Sequence, residues 1–80
     1  MPRAVDDMLV DGRGLEPPEP LERVMQALAR LRPGQGIRLL LLREPFPLYP
    51  LLAGRGYRHE TLPQPDGSYV VLIRPADDRT

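Results

Sequence analysis

The chain of 80 residues contains no cysteine and no lysine, and these two absences exclude several kinds of chemistry. Without cysteine there is no thiol nucleophile, no disulfide and no thiolate ligand for a metal. Without lysine there is no amine for a Schiff base and no phosphate-loop lysine. All 11 basic residues are arginines, and 11 acidic residues balance them to a formal net charge of zero. No excess of one charge therefore favours nucleic acid or an anionic membrane as a partner.

Long apolar runs are missing as well. No stretch approaches the roughly 20 apolar residues that a membrane-spanning helix needs, and the first residues, MPRAVDDMLV, do not have the pattern of a signal peptide. We therefore expect a cytoplasmic protein with no membrane and no nucleic-acid partner. With 41% hydrophobic and 28% charged residues, the composition predicts one globular domain. It would cover residues 1–80, with an ordered core at about 5–75.

The hydrophobic pattern predicts six elements in the order strand, helix, strand, helix, strand, strand. In chain order they cover residues 5–10, 21–31, 37–44, 48–53, 57–62 and 68–74. The first helix is expected to end at PGQG, residues 33–36. In the second helix Pro50 falls in the first turn, where a helix tolerates proline. This order predicts a two-layer α/β sandwich, an α+β fold with both helices on one face of the sheet.

A single layer of helices covers only one face of such a sheet, and the second strand is apolar on both faces. Ile37, Leu39 and Leu41 alternate with Leu40 and Leu42. We expect the first set to face the helices and the second set to lie on the open face. Because an exposed apolar patch often marks an interface, the pattern predicts a homodimer or partner binding through the open face.

The most specific segment is DGRGLEPPEPLERV, residues 11–24. Prolines at a helix start remove N–H groups that have no intrahelical acceptor, so they fix the start without breaking bonds. Glu16, Glu19 and Glu22 place negative charge at the positive end of the helix dipole. A well-capped helix start is one sufficient explanation of this segment. The prolines are Pro17, Pro18 and Pro20.

The same segment resembles the signature of the TusA-like (SirA-like) sulfur-carrier family, in which an Asp-x-Arg-Gly-Leu segment leads into Cys-Pro-x-Pro at the first helix. The matching residues are Asp11, Arg13, Gly14, Leu15, Pro18 and Pro20. Pro17 replaces the cysteine that carries the persulfide in that family. The resemblance thus implies a βαβαββ fold without the sulfur chemistry. It further implies a four-stranded mixed sheet in the order 1-2-4-3, with the last strand antiparallel to the other three.

The remaining sequence resembles a cysteine-less branch of this superfamily, a domain of unknown function. The resemblance rests on the LEPPEP start and on the REP and LYPLL segments of residues 43–52. It implies a protein partner from nitrogen-oxide respiration or sulfur metabolism.

The predicted topology places a candidate site at one edge of the sheet. The first two strands are expected to be parallel, so the loops that follow them meet where both helices begin. Arg13 and Arg43 are expected to approach each other there and to hold an anion or a partner's carboxylate. The alternative is that these arginines pair with nearby carboxylates of the same chain. The predicted ligand- or partner-binding residues are Arg13, Glu16, Pro17, Pro18, Glu19, Pro20, Arg43, Glu44 and Pro45.

His59 is the only histidine, and on the third predicted strand it shares a face with Tyr57 and Thr61. A single histidine does not define a metal site, and no catalytic residue or cofactor is predicted. The leading hypothesis is a non-enzymatic binding or adaptor domain that recognises a protein partner or a small anion at the helix-start edge. The alternative is an accessory factor or divergent enzyme of sulfur or nitrogen-oxide metabolism that binds a metal or haem through His59.

Overall fold

The computed structural model describes residues 7–76, and its elements follow the predicted order. The strands are β1 (Met8–Asp11), β2 (Ile37–Leu41), β3 (Tyr57–Pro63) and β4 (Tyr69–Pro75), and the helices are α1 (Glu19–Leu28) and α2 (Leu48–Gly54). Neither of these helices has the length and apolar character that a bilayer crossing requires. The first two residues of the predicted first strand, Val5 and Asp6, lie outside the described residues.

The four strands form one mixed sheet in the order β1-β2-β4-β3. β1 and β2 are parallel, and β4 is antiparallel to both β2 and β3. β4 therefore runs antiparallel to the other three strands. This arrangement confirms the predicted α+β sandwich and its strand order.

The hydrophobic core lies between the two helices and one face of the sheet. Ile37, Leu39 and Leu41 of β2 point into it, as their alternation predicts. Burial of each such side chain contributes about 1.5–3 kcal/mol to the stability of the fold. The largest side chains that are fully buried are Val24, Ile37, Leu39, Leu52, Val71 and Ile73.

α1 ends earlier than the apolar periodicity predicts. The helix ends at Leu28, so the prediction that residues 33–36 end it is wrong. The amides of Arg30 and Leu31 bond to carbonyls three residues back, at 3.0 and 3.4 Å, which makes this segment tighter than an α-helix. Leu31 still packs against the core, and the periodicity therefore continues beyond the helix itself.

β2 is also shorter than the predicted range of 37–44. It ends at Leu41, and the next residues bend towards α2. In this bend the amide of Phe46 donates to the carbonyl of Glu44 at 3.0 Å. The alternation of a strand consequently does not extend to Leu42, which borders a cleft on the helix side of the sheet, so the prediction that Leu42 lies on the open face is wrong.

The open face of the sheet carries two rows of side chains that the strand register aligns. One row is Asp11, Leu40, Val70 and Leu62, and the next is Leu9, Arg38, Leu72 and Glu60. Leu9 is 62% exposed, whereas Val70 is only 7% exposed because a leucine lies on either side of it. Neighbouring side chains thus cover part of this apolar surface. The homodimer through the open face stays a prediction.

Candidate binding site at the helix-start edge

A cleft of about 680 Å³ opens at the edge of the sheet where both helices begin. The loops that follow β1 and β2 form its walls, and Leu39, Leu41 and Val24 line it from the core. Most of its surface belongs to leucine, valine and proline side chains. Its position follows from the topology, because loops at the carboxyl ends of adjacent parallel strands meet at one edge. The charged residues that line it are Glu16, Arg43 and Glu44.

Seven of the nine predicted binding residues line this cleft. They are Glu16, Pro17, Pro18, Pro20, Arg43, Glu44 and Pro45. Glu19 lies instead in a shallower groove of about 460 Å³, which Glu16, Pro17 and Pro18 also line. The two depressions are therefore neighbours along the start of α1. The part that these residues take in binding stays a prediction.

Arg13 does not line the cleft, because it pairs with Asp11. Its Nε and Nη2 atoms each lie 3.0 Å from a carboxylate oxygen, and its backbone amide donates to the same carboxylate at 3.1 Å. The hydrogen bonds from Arg13 hold the pKa of Asp11 below its usual value. Asp11 aligns with Leu40, a residue of the open face. Arg13 and Arg43 follow the parallel strands β1 and β2, so both lie at the same edge of the sheet, but only Arg43 lines the cleft. Their approach to each other stays a prediction.

Of the described residues, Arg43 is the single cationic one that lines the cleft. It is exposed, and no carboxylate among residues 7–76 forms an ion pair with it. The alternative that nearby carboxylates occupy the arginines therefore holds for Arg13 and not for Arg43.

The start of α1 offers few free amides to an anion. Pro18 and Pro20 have no N–H group. The amide of Glu19 donates to the carbonyl of Glu16 at 2.9 Å, and that of Glu22 donates to Pro18 at 3.1 Å. The three glutamates also place negative charge here. This geometry is unfavourable for a small anion at the start of α1.

The start of α2 likewise offers few free amides. The amides of Leu48 and Tyr49 donate to carbonyls of the preceding loop at 2.9 and 3.2 Å, and Pro50 has no N–H group. Pro50 is the third residue of the helix, as predicted. Pro50 does not line the cleft, but Pro45 and Pro47 before α2 do, as Pro17, Pro18 and Pro20 do at α1. Both helix starts therefore present apolar proline rings to the cleft.

Tyr49 connects the cleft to β3, although it is not among the predicted binding residues. Its hydroxyl donates to Oε2 of Glu44 at 2.9 Å and also lies within hydrogen-bond distance of Oγ1 of Thr61. Its ring stacks on the imidazole of His59, with centroids 4.0 Å apart and planes 2° from parallel. Burial raises the pKa of Tyr49 above its usual value, so the hydroxyl keeps its proton near neutral pH. Only the shared face of His59 and Thr61 was predictable.

His59 does not belong to a cluster of metal-ligand side chains among the described residues. Within residues 7–76 there is no group of three or more histidines, aspartates and glutamates that could hold an ion. One face of its imidazole lies against Tyr49. The hypothesis of a metal or haem at His59 gains no support from this arrangement.

A solved structure shares this fold. The crystal structure of a SirA-like protein from Desulfitobacterium hafniense matches the chain with a TM-score of 0.75 and 29% sequence identity. The match covers 82% of this chain and 93% of that chain. The predicted TusA-like (SirA-like) fold is thereby confirmed, in a chain without cysteine.

The chain belongs to the family described as "Uncharacterized conserved protein (DUF2249)", whose model matches residues 9–75. The matched range includes both helix starts and every residue that lines the cleft. No curated protein matches the chain. The predicted assignment to an uncharacterised, cysteine-less branch is confirmed.

A cysteine restored at position 17 is not expected to be a reactive thiol. Pro17 lies beside Glu16, Glu19 and Glu22 along the shallow groove, and carboxylates disfavour a thiolate. We expect the thiol of Pro17→Cys to have a pKa above about 8.5. The pH dependence of its alkylation by iodoacetamide measures this value.

The control for position 17 is the same cysteine with all three glutamates changed to glutamine. Its thiol is expected to have a lower pKa, because the helix dipole then acts without opposing charge. A pKa of Pro17→Cys well below the usual thiol value would contradict the prediction.

Proposed function

We propose that this chain is a non-enzymatic binding domain that holds an apolar segment of a protein partner in the helix-start cleft. The observation that carries this proposal is the cleft itself, with a volume of about 680 Å³ and a lining of leucine, valine and proline. Its size is typical of a binding cavity, of roughly 300–1,000 Å³. Pro17 lines it at the position where the TusA-like signature has its cysteine.

The carboxylates along the start of α1 favour a partner segment with basic residues. Glu16 and Glu44 line the cleft, and Glu19 and Glu22 lie beside it in the adjoining groove. Within the described part of the chain, Glu16 and Glu22 form no ion pair, and Glu19 pairs only with Arg23 at 3.3 Å. A partner that inserts one or two large apolar side chains and places arginine or lysine over α1 therefore complements this surface.

Leu42→Glu is the variant that tests the cleft. Leu42 is 59% exposed and lines the cleft, so a charge there changes the cleft without disturbing the core. Burial of a leucine is worth about 1.5–3 kcal/mol, which corresponds to roughly a tenfold to hundredfold change in affinity. We expect this loss for Leu42→Glu in titration calorimetry with a partner recovered by pull-down.

The matched control is Leu9→Glu. Leu9 is 62% exposed on the open face, so it receives the same substitution at the same exposure away from the cleft. Partner affinity is expected to be unchanged in this variant. Equal losses in the two variants, or full affinity in Leu42→Glu, would remove the cleft as the binding site.

A further inference from the structure

Among residues 7–76, β3 is the longer of the two edge strands, and no strand pairs with its outer side. The strand order leaves β1 and β3 at the two edges, with four residues in β1 and seven in β3. A free edge exposes backbone N–H and C=O groups that can pair with another strand. The outer edge of β3 faces away from the cleft, because the cleft lies beside β1 and β2 and this edge lies beyond β4.

The pairing of β3 with β4 determines which backbone groups point outward. The amide of Gln64 bonds to the carbonyl of Ser68 at 2.8 Å, and the amide of Ala76 bonds to the carbonyl of Gly56 at 2.7 Å. Hydrogen-bonded pairs alternate along an antiparallel ladder, so even-numbered residues of β3 bond to β4. The odd-numbered residues therefore direct their N–H and C=O groups to the free edge. They are Tyr57, His59 and Thr61, with Pro63 contributing a carbonyl alone.

Arg58 and Glu60 lie between the outward-bonding residues. Both are exposed, both lie on the open face of the sheet, and neither forms an ion pair within residues 7–76. These opposite charges lie two residues apart on the same face of the strand. When two copies of the strand pair antiparallel, the arginine of each copy can therefore lie opposite the glutamate of the other.

We propose that β3 pairs with β3 of a second copy of this chain, antiparallel and centred on His59. In this register His59 faces its own counterpart and Tyr57 faces Thr61, which forms about six backbone hydrogen bonds between the copies. Arg58 then lies opposite Glu60 at two symmetric positions. The two sheets become one continuous sheet, and both helix-start clefts stay open.

The charges select this register over its neighbours. The two adjacent symmetric registers that also use the outward groups are centred on Arg58 and on Glu60. The first places Arg58 opposite itself, and the second places Glu60 opposite itself. Like charges directly opposite each other destabilise a strand pair, whereas opposite charges stabilise it. The register centred on His59 is the one that opposes unlike charges at both positions.

Charge reversal at the two positions tests the register by sedimentation equilibrium over a concentration series. Wild type is expected to dimerise. Arg58→Glu and Glu60→Arg, each alone, place like charges opposite each other and are expected to weaken the dimer about tenfold. The double variant, Arg58→Glu with Glu60→Arg, restores both pairs in reverse and is expected to recover the wild-type dissociation constant.

Leu40→Glu distinguishes the edge dimer from association through the open face. Leu40 lies on that face in β2, away from the β3 edge, so its substitution is expected to leave the edge dimer intact. The proposal is overturned by a monomeric wild type, by a dimer that only Leu40→Glu disrupts, or by a double variant that stays monomeric while circular dichroism shows it folded.

Discussion

Replacing Leu52 with alanine is expected to destabilise the domain by about 2–5 kcal/mol. Leu52 belongs to α2 and is completely buried among the core residues that join the helix to the sheet. The substitution removes apolar contacts and leaves a cavity, and both effects lower the free energy of unfolding. A chain of 80 residues has a stability of roughly 4–12 kcal/mol, so this single change removes a large fraction of it.

The neighbouring Leu51 provides the matched control for this change. Leu51 is 40% exposed, so Leu51→Ala deletes the same atoms from a partly solvated position. Its expected cost is below about 1 kcal/mol. Urea unfolding followed by circular dichroism measures both values. Similar costs for the two variants would contradict the packing of α2 through Leu52.

The second large effect is expected at Gly36, where the chain enters β2. A Cβ atom there would lie 2.7 Å from the carbonyl oxygen of Ile73 and 3.0 Å from Cγ of Arg74. The carbonyl belongs to the backbone of the paired strand β4, which cannot move aside cheaply. The amide of Gly36 also donates to Asp7 at 3.1 Å, and Asp7 pairs with Arg74 at 2.9 Å. We expect Gly36→Ala to cost about 1–3 kcal/mol in thermal or urea unfolding.

Gly54→Ala is expected to act in the opposite direction. Gly54 is the last residue of α2, and a Cβ built there meets no atom within 4 Å. Replacing glycine by alanine in a helical conformation stabilises a protein by about 0.4–1 kcal/mol, because the unfolded chain loses conformational freedom. If both alanine variants were destabilised equally, the close approach at Gly36 would not be the cause of its cost.

The order of helices and strands was predictable from local patterns, whereas the strand order in the sheet was predictable from the resemblance to the TusA-like family. The alternation of Ile37, Leu39 and Leu41 marked the buried face of β2, and Pro50 located the first turn of α2. The end of α1 was not predictable from apolar spacing, because the tightened turn after Leu28 keeps Leu31 on the same side. Apolar periodicity reports which side a residue faces, and it does not report which hydrogen bonds hold it there.

The candidate site was predictable in position and less so in detail. Parallel pairing of β1 and β2 was sufficient to bring their loops to one edge. The Arg13 side chain could extend towards the cleft or bond to the carboxylate two residues before it. In the structure it bonds to Asp11. The side of the sheet on which Leu42 lies depends on where β2 ends. Tertiary packing sets the bend that ends this strand. The Tyr49 hydroxyl contacts Thr61 of β3, and the two residues are too far apart in sequence for a local pattern to indicate this contact.

The Tyr49 hydroxyl has one hydrogen, so it can donate in only one of its two contacts. The hydrogen is donated to Glu44, so the contact with Thr61 requires the threonine to donate and the tyrosine oxygen to accept. The three groups therefore form a directed chain of hydrogen bonds from β3 through α2 to the rim of the cleft. A carboxylate at the cleft thereby dictates, through one tyrosine, which way a hydroxyl on the free edge strand points.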